Sequence, residues 1–267
     1  TFQIPWRAPK SVAVKTYGTL HVRGHDNRVV YGADFKGHRH LRLDGPWLGR
    51  CYLRMYREHI MSEIEYFYST HSVFAYLGSA RFMEIVRAAG RKIVHRPIDL
   101  NQTVPAVGSL PFRQRSPKHV AYFFRREIDR WAEERGVPVM KGFPQYHHND
   151  MAMCNGMIVA GVEQDVCMDQ LAHAMLSAHW QDDADLADLD TLVRLAEGVD
   201  VDPGPLLSAA LSESNQGAYR ANTEEAIERS VFGSPTYFVD DDMFYGQDRL
   251  EMVERALRKP YAPEARV

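Results

Sequence analysis

Cysteine is scarce in this chain: Cys51, Cys154 and Cys167 are the only three in 267 residues, and no Cys-x-x-Cys occurs. An odd, sparse set does not suit a disulfide framework and is compatible with a reducing compartment, so a cytoplasmic protein with incidental thiols is expected. Cys154 and Cys167 also lack the short paired spacing of a zinc site, and no metal is expected. Long hydrophobic runs are missing too. No apolar stretch approaches the roughly 20 residues of a membrane span, and no charged-apolar-small leader pattern opens the chain. What remains is ordinary globular composition, 45% hydrophobic and 25% charged.

The net charge of −3 conceals a contrast between segments: residues 1–60 carry +7 and residues 61–267 carry −10. The first 60 residues are rich in Gly, His and Arg and hold no long period. "TLHV" and "RVVYGADF" are readable as a hairpin across "RGHDN". Met61 opens a different texture. We read it as the native start, with 1–60 a basic upstream or fusion segment. The rival is a basic arm for an acidic partner, but its aromatics form no stacking platform and nucleic acid is not expected.

From Met61 the order is legible. "EIEYFYS" (63–69) reads as a strand, and 73–90 as a helix with Phe82, Ile85, Val86 and Ala89 on one stripe and Gly90 as its stop. "KIVHRPIDL" (92–100) reads as a second strand, completing a βαβ unit. The middle is helical: 118–136 with Val120, Phe123, Phe124, Ile128 and Trp131 on its apolar face, then 151–180, 184–197, 204–214 and 217–230. "PTYFVD" and "DMFYG" are two short strands, and 247–258 a last helix with Leu250, Val253 and Leu257 inward. This βαβ, helices, ββα order is α/β: a thioredoxin-like fold interrupted by an all-helical insertion. The expected domains are 61–103 with 231–260 for the thioredoxin-like part, and 104–230 for the insertion.

Ser72 follows the first strand and precedes the first helix. A helix start offers free N–H groups and a positive dipole end, and thus favours an anion. Redox members of the thioredoxin fold place Cys-x-x-Cys here, whereas this chain has Ser72-Val73-Phe74-Ala75. Dithiol exchange is excluded at this position. A serine hydroxyl can instead donate to a thiolate supplied from outside, and glutathione, with a thiol pKa of about 8.5, is the obvious supplier. Taken alone, Ser72 reads first as a plain N-cap. Pro235 stands directly before the third strand, where this fold uses a cis proline and where the backbone of Ser234 can pair with a peptide ligand. In "YGQDRL", Gln247 and Asp248 enter the last helix, suited to the carboxylate and ammonium of a γ-glutamyl group.

The blocks "IEYFYSTHSVFAYLGSARF", "PIDLNQTVPAVGS", "REIDRWAEERGVPV" and "AIERSVFGSPTYFVDDDMFYGQDRLEMVERAL" resemble, in order and spacing, the 2-hydroxychromene-2-carboxylate isomerases. These are relatives of kappa-class glutathione transferases and, more remotely, of DsbA. The resemblance covers residues 63–258. It implies a glutathione-dependent cis/trans isomerisation of an aromatic pyruvate-type carboxylate, as in aromatic hydrocarbon catabolism, by a homodimer. Position by position, Ser72 matches the catalytic serine, and Ser234 with Tyr245, Gly246, Gln247 and Asp248 match glutathione contacts. Gln114, Arg115 and Tyr146 match substrate contacts. The departures are Val73 for a proline, Ser69 for an aspartate and Val104 for a lysine that faces the substrate's charged end. A kappa-like transferase or peroxidase, and a catalytically idle binding protein, stay open as alternatives. His147 and His148 read as pocket lining or as a solvated loop.

Overall fold

The computed structural model describes residues 63–262, together with the backbone of 12–15, 19–23 and 29–34. The chain divides into two compact units, Thr1–Glu58 and His59–Val267. In the first, β1 (Val12–Lys15), β2 (Thr19–Arg23) and β3 (Val29–Asp34) form an antiparallel sheet in that order. The expected pairing of "TLHV" with "RVVYGADF" is its β2–β3 ladder, with Thr19 opposite Asp34. Cys51 and Met61, which bear on the expected thiol and boundary, lie outside the described residues.

The second unit is built on a four-stranded mixed sheet in the order β5-β4-β6-β7. β4 (Glu63–Tyr68) pairs parallel with β5 (Lys92–Pro97) and antiparallel with β6 (Thr236–Val239), and β7 (Asp242–Tyr245) closes the edge. β4 is central because alternate side chains find apolar partners on both faces. Ile64, Tyr66 and Tyr68 join the larger core, with the Tyr66 ring stacked 4.1 Å from Tyr68 and 5.4 Å from Tyr237. Phe67 points the other way, against Ile98, Ala226, Val231 and Phe238. Burying each such ring contributes roughly 1.5–3 kcal/mol.

Helix α1 (Val73–Ala88) makes the βαβ crossover, with Phe82, Ile85 and Val86 buried as expected. Ala89 is exposed at its end, and Gly90 adopts φ +65°, as a helix stop requires. Between β5 and β6 run α2 (Leu100–Ala106), a helix spanning 117–135 that we label α3, α4 (Ala152–Glu163), α5 (Asp169–Asp182), α6 (Leu189–Glu197), α7 (Pro203–Ala210) and α8 (Glu213–Glu228). A short 3-10 turn, Gln247–Arg249, leads into α9 (Leu250–Arg258). This is the expected thioredoxin-like fold with its helical insertion.

Several boundaries differ from the sequence reading, among them that α7 ends at Ala210 and not at 214, and α8 begins at Glu213 and not at 217. The single helix expected over 151–180 is two, because Asp165 takes the left-handed conformation at φ 57° and the Val166 N–H turns back to Gly161 O at 2.9 Å. That is a Schellman-type stop made by aspartate, not glycine. α6 begins at Leu189 and not at 184, since Asp188 accepts the Thr191 N–H at 2.9 Å and caps it. β5 ends at Pro97, and Asp99 caps α2. Within α3, Tyr122–Arg126 forms a π turn.

Candidate active site

Ser72 is the N-cap of α1. Its backbone is extended, and its Oγ accepts the Ala75 N–H at 3.3 Å. The Val73 and Phe74 N–H groups have no acceptor among the described residues, so two donors remain at the positive end of a 16-residue helix. The cap reading and the anion-site reading of Ser72 therefore describe one geometry.

The peptide bond between Ser234 and Pro235 is cis. Ser72 Oγ donates to Ser234 O at 3.3 Å, and the Ser69 N–H donates to Ser234 Oγ at 3.2 Å. The Ser234 N–H has no acceptor among the described residues. Gly246 N–H donates to Pro235 O at 2.9 Å, which ties the turn at 245–248 to the same loop. Ser72, Ser234, Pro235 and Gly246 thus converge from three segments distant in sequence.

The turn itself is held from α3. Arg135 donates to Gln247 Oε1 at 3.2 Å and to Gln247 O at 3.1 Å, and pairs with Glu251 at 2.9 Å. Gln247 is buried, and its side-chain N–H groups stay free of protein acceptors. Gly246 sits at φ +99°, where a Cβ would lie 2.3 Å from Asp248 Oδ1. The positive φ favours glycine there, whereas the Asp248 carboxylate is the end of a flexible side chain and could swing aside. Asp248 pairs with Arg249 at 2.8 Å.

An aromatic band leads away from Ser72. Phe74 lies 5.0 Å from Phe123 and 6.1 Å from Phe124, and Phe124 lies 4.9 Å from Phe112. Phe112 and Phe143 are 39% and 43% exposed, unusual for neighbouring rings on one surface. The α3 face that the sequence reading placed in the core is buried only at Ile128, and its phenylalanines are half-exposed in this band. Arg115 lies 5.1 Å over the Phe124 ring. Desolvation raises the Tyr245 pKa and the Arg115 charge opposes it, so the guanidinium is within electrostatic reach of that hydroxyl. Gln114 is exposed on the 3-10 turn Phe112–Gln114 beside it. Tyr146 is placed elsewhere, in a cavity with Asp182, Asp185 and Arg194, and no hydrogen bond joins it to Ser72 or Arg115. Val104 is half-buried on α2.

Beside Ser72 stands a histidine cluster that sequence reasoning caught only at His147. His147 packs 4.6 Å from His71, and its Nδ1 is 3.0 Å from His179 Nε2. His179 Nδ1 lies 3.0 Å from Ala184 O and must carry the proton there, so its Nε2 accepts from His147 Nδ1–H. The relay leaves His147 Nε2 unprotonated. Burial, with neighbouring histidines adding, holds His71 down to about 4 and His147 down to about 2. His71 Nδ1 is 3.0 Å from Ser69 Oγ, and Trp180 fixes the His71 carbonyl at 2.8 Å. His148 is exposed. Among the described residues no group of three or more His, Cys, Asp or Glu is arranged to hold a metal. The signal available in the sequence was the adjacency of His71 to Ser72; His179 comes from a remote helix and had none.

The thiols stand apart from this chemistry. Cys154 is fully buried, 3.0 Å from Thr70 Oγ1, and burial pushes its pKa up to about 12. Cys167 is exposed between α4 and α5.

Residues 63–258 match the family model of the DSBA-like thioredoxin domain. The chain belongs to the DSBA-like thioredoxin family. Within that family it is similar to the 2-hydroxychromene-2-carboxylate isomerase of Sphingobium xenophagum, 29% identical over 194 residues that cover 73% of this chain and 97% of that protein. A solved 2-hydroxychromene-2-carboxylate isomerase superposes with TM-score 0.60 at 26% identity, covering 74% of this chain and 95% of the other. The cytosolic disulfide reductase DsbM of Pseudomonas aeruginosa, solved with GSH, superposes with TM-score 0.52 over 74% and 93% of the two chains. At 14% identity it shares the fold. In this DSBA-like chain the helix start that carries Cys-x-x-Cys in redox relatives carries Ser72 and no thiol. No helix among the described residues is long and apolar enough to cross a membrane.

Proposed function

We propose that this protein is a glutathione-dependent isomerase of the 2-hydroxychromene-2-carboxylate type, acting on an aromatic pyruvate-type carboxylate. The observation that carries the reading is the convergence of the Ser72 hydroxyl, two free α1 N–H groups and the unpartnered Ser234 N–H at one point beside an exposed aromatic band. The residues present fit glutathione. Ser234 would pair with its cysteinyl backbone, and Tyr245, Gly246, Gln247 and Asp248 would receive the γ-glutamyl end. When bound, glutathione supplies a thiolate that adds reversibly to the conjugated substrate, so that a double bond becomes free to rotate and then re-forms.

Ser72, which donates to Ser234 O at 3.3 Å, would be the hydroxyl that turns to that sulfur, and the Val73 and Phe74 N–H groups would add the field of the helix terminus. Val73, unlike a proline, keeps its N–H and so adds a donor there. Phe74, Phe124 and Phe112 cover the substrate ring, and Arg115 with Gln114 holds its carboxylate. His147 Nε2, fixed as an acceptor by the His179–Ala184 relay and held neutral by burial, is positioned to accept a hydrogen bond from a substrate hydroxyl at the edge of the band. The name borne by relatives at about 29% identity supports the isomerase class. Titration calorimetry with glutathione tests the site: submillimolar binding that Gly246→Ala weakens agrees, and no binding at millimolar concentration overturns it.

A further inference from the structure

Residues 100–126 carry Arg113, Arg115, Lys118, Arg125 and Arg126 and not one Asp or Glu, within the segment 61–267 whose net charge is −10. Three of these line one cleft. Phe112, Arg113, Arg115, Val120 and Arg125 enclose about 340 Å³ between the 3-10 turn and the start of α3. Among the described residues, none of the three arginines has an acidic partner. Arg115 donates to Leu110 O at 3.0 Å and to His119 Nε2 at 3.1 Å, neither of them a carboxylate, and the Arg113 and Arg125 side chains make no hydrogen bond among the described residues. Several other arginines of the unit are paired, Arg81 with Glu254, Arg96 and Arg229 with Glu65, Arg135 with Glu251. Those that are not, such as Arg87 and Arg194, do not share a cleft with a second unpaired arginine among the described residues.

Three like charges around one cleft repel one another, and folding alone gives no return for that. The backbone also departs from regularity at this place. The π turn Tyr122–Arg126 ends α3's first stretch, and such insertions occur frequently at functional sites because they re-aim side chains. Here the turn carries Arg125, which lines the cleft. The cleft is continuous with the aromatic band, since Phe112 borders both and Arg115 lies over Phe124.

We infer that this cleft binds a doubly negative headgroup, a phosphate monoester or a pair of carboxylates, on an aromatic ligand whose ring lies along Phe112 and Phe124. One carboxylate needs one arginine, and Arg113 and Arg125 are in excess of that need. The inference deepens the proposed function by naming the substrate as an aromatic dianion, and it rests on that reading for the reaction but not for the binding.

The test is calorimetry on the full chain without glutathione, using phenyl phosphate, phthalate and benzoate as probes. One of the two dianions should bind at least about tenfold tighter than benzoate, and which one does so identifies the headgroup. Arg113→Gln with Arg125→Gln should then weaken that probe by about a hundredfold, roughly tenfold per arginine, with glutathione affinity unchanged. Lys118→Gln with Arg126→Gln removes the same charge outside the cleft and should cost threefold or less. Arg113→Lys with Arg125→Lys keeps the charge, guards against misfolding, and should retain part of the affinity. Equal binding of benzoate, no dianion binding at millimolar concentration, or equal losses in the two glutamine pairs would overturn the inference. Dianion binding with no glutathione binding would leave the cleft standing and remove the proposed reaction.

Discussion

At Ser72 one hydroxyl serves two ends, capping α1 and facing the Ser234 loop. Ser72→Ala should therefore slow turnover by about 10- to 150-fold, the worth of one charge-assisted hydrogen bond of roughly 1.5–3 kcal/mol. Glutathione affinity should fall much less, because in the proposed function Ser234 and the 245–248 turn would hold the peptide. Stopped-flow turnover beside calorimetry separates the two effects. The histidines give a pH signature. His71 and His147 are neutral when folded, at about 4 and about 2, but titrate near 6.5 when unfolded. Between those values the unfolded chain binds more protons, so their contribution is complete above pH 6.5 and is lost as pH falls, toward 4 for His71 and toward 2 for His147. Melting temperature should drop across that window, and His71→Gln should flatten the drop. An unchanged slope would take His71 out of the acid response.

At the scale of elements, the decisive join is between α3 and the turn before α9. Arg135 reaches across from α3 to bond both the side chain and the backbone of Gln247, and it lies 5.2 Å over Trp131. Arg135→Ala should destabilise the fold by about 2 kcal/mol and weaken glutathione binding, since the turn would lose its brace. Arg135→Lys should recover little, because a point charge cannot replace the two-pronged contact. Thermal melts and calorimetry on both variants check this. A full recovery by lysine would mean that charge alone matters there. This brace was not legible in the sequence. Arg135 and Gln247 are 112 positions apart, and an arginine near a helix end reads as a dipole partner. The helices themselves were legible wherever glycine or proline marks their ends, as at Gly90 and Gly136. They were misread at Asp165 and Asp188, where aspartate did the stopping and capping.

At the scale of the molecule, net charge contrasts across the chain and the division into units falls between residues 58 and 59, and we propose that residues 1–60 are dispensable for the proposed function. A chain beginning at Met61 should melt at nearly the same temperature and bind glutathione equally well; insolubility or lost binding would make the segment integral. The half of the site proposed for the cofactor stood out as local pattern, because Ser72, Ser234-Pro235 and 245–248 each sit at the start of an element. The substrate half did not. Its band is assembled from Phe74, Phe112, Phe124, Phe143 and His147 on separate segments, and Tyr146, matched to it by resemblance, lies in another cavity.

The central claim is that glutathione acts here without being consumed. The most direct measurement incubates the protein with an aromatic chromene carboxylate and substoichiometric glutathione, following the substrate spectrum and total free thiol together. The account expects many turnovers per glutathione with the thiol concentration constant, and conversion that stops when glutathione is withheld. Thiol loss equal to substrate loss, or conversion indifferent to glutathione, would contradict it.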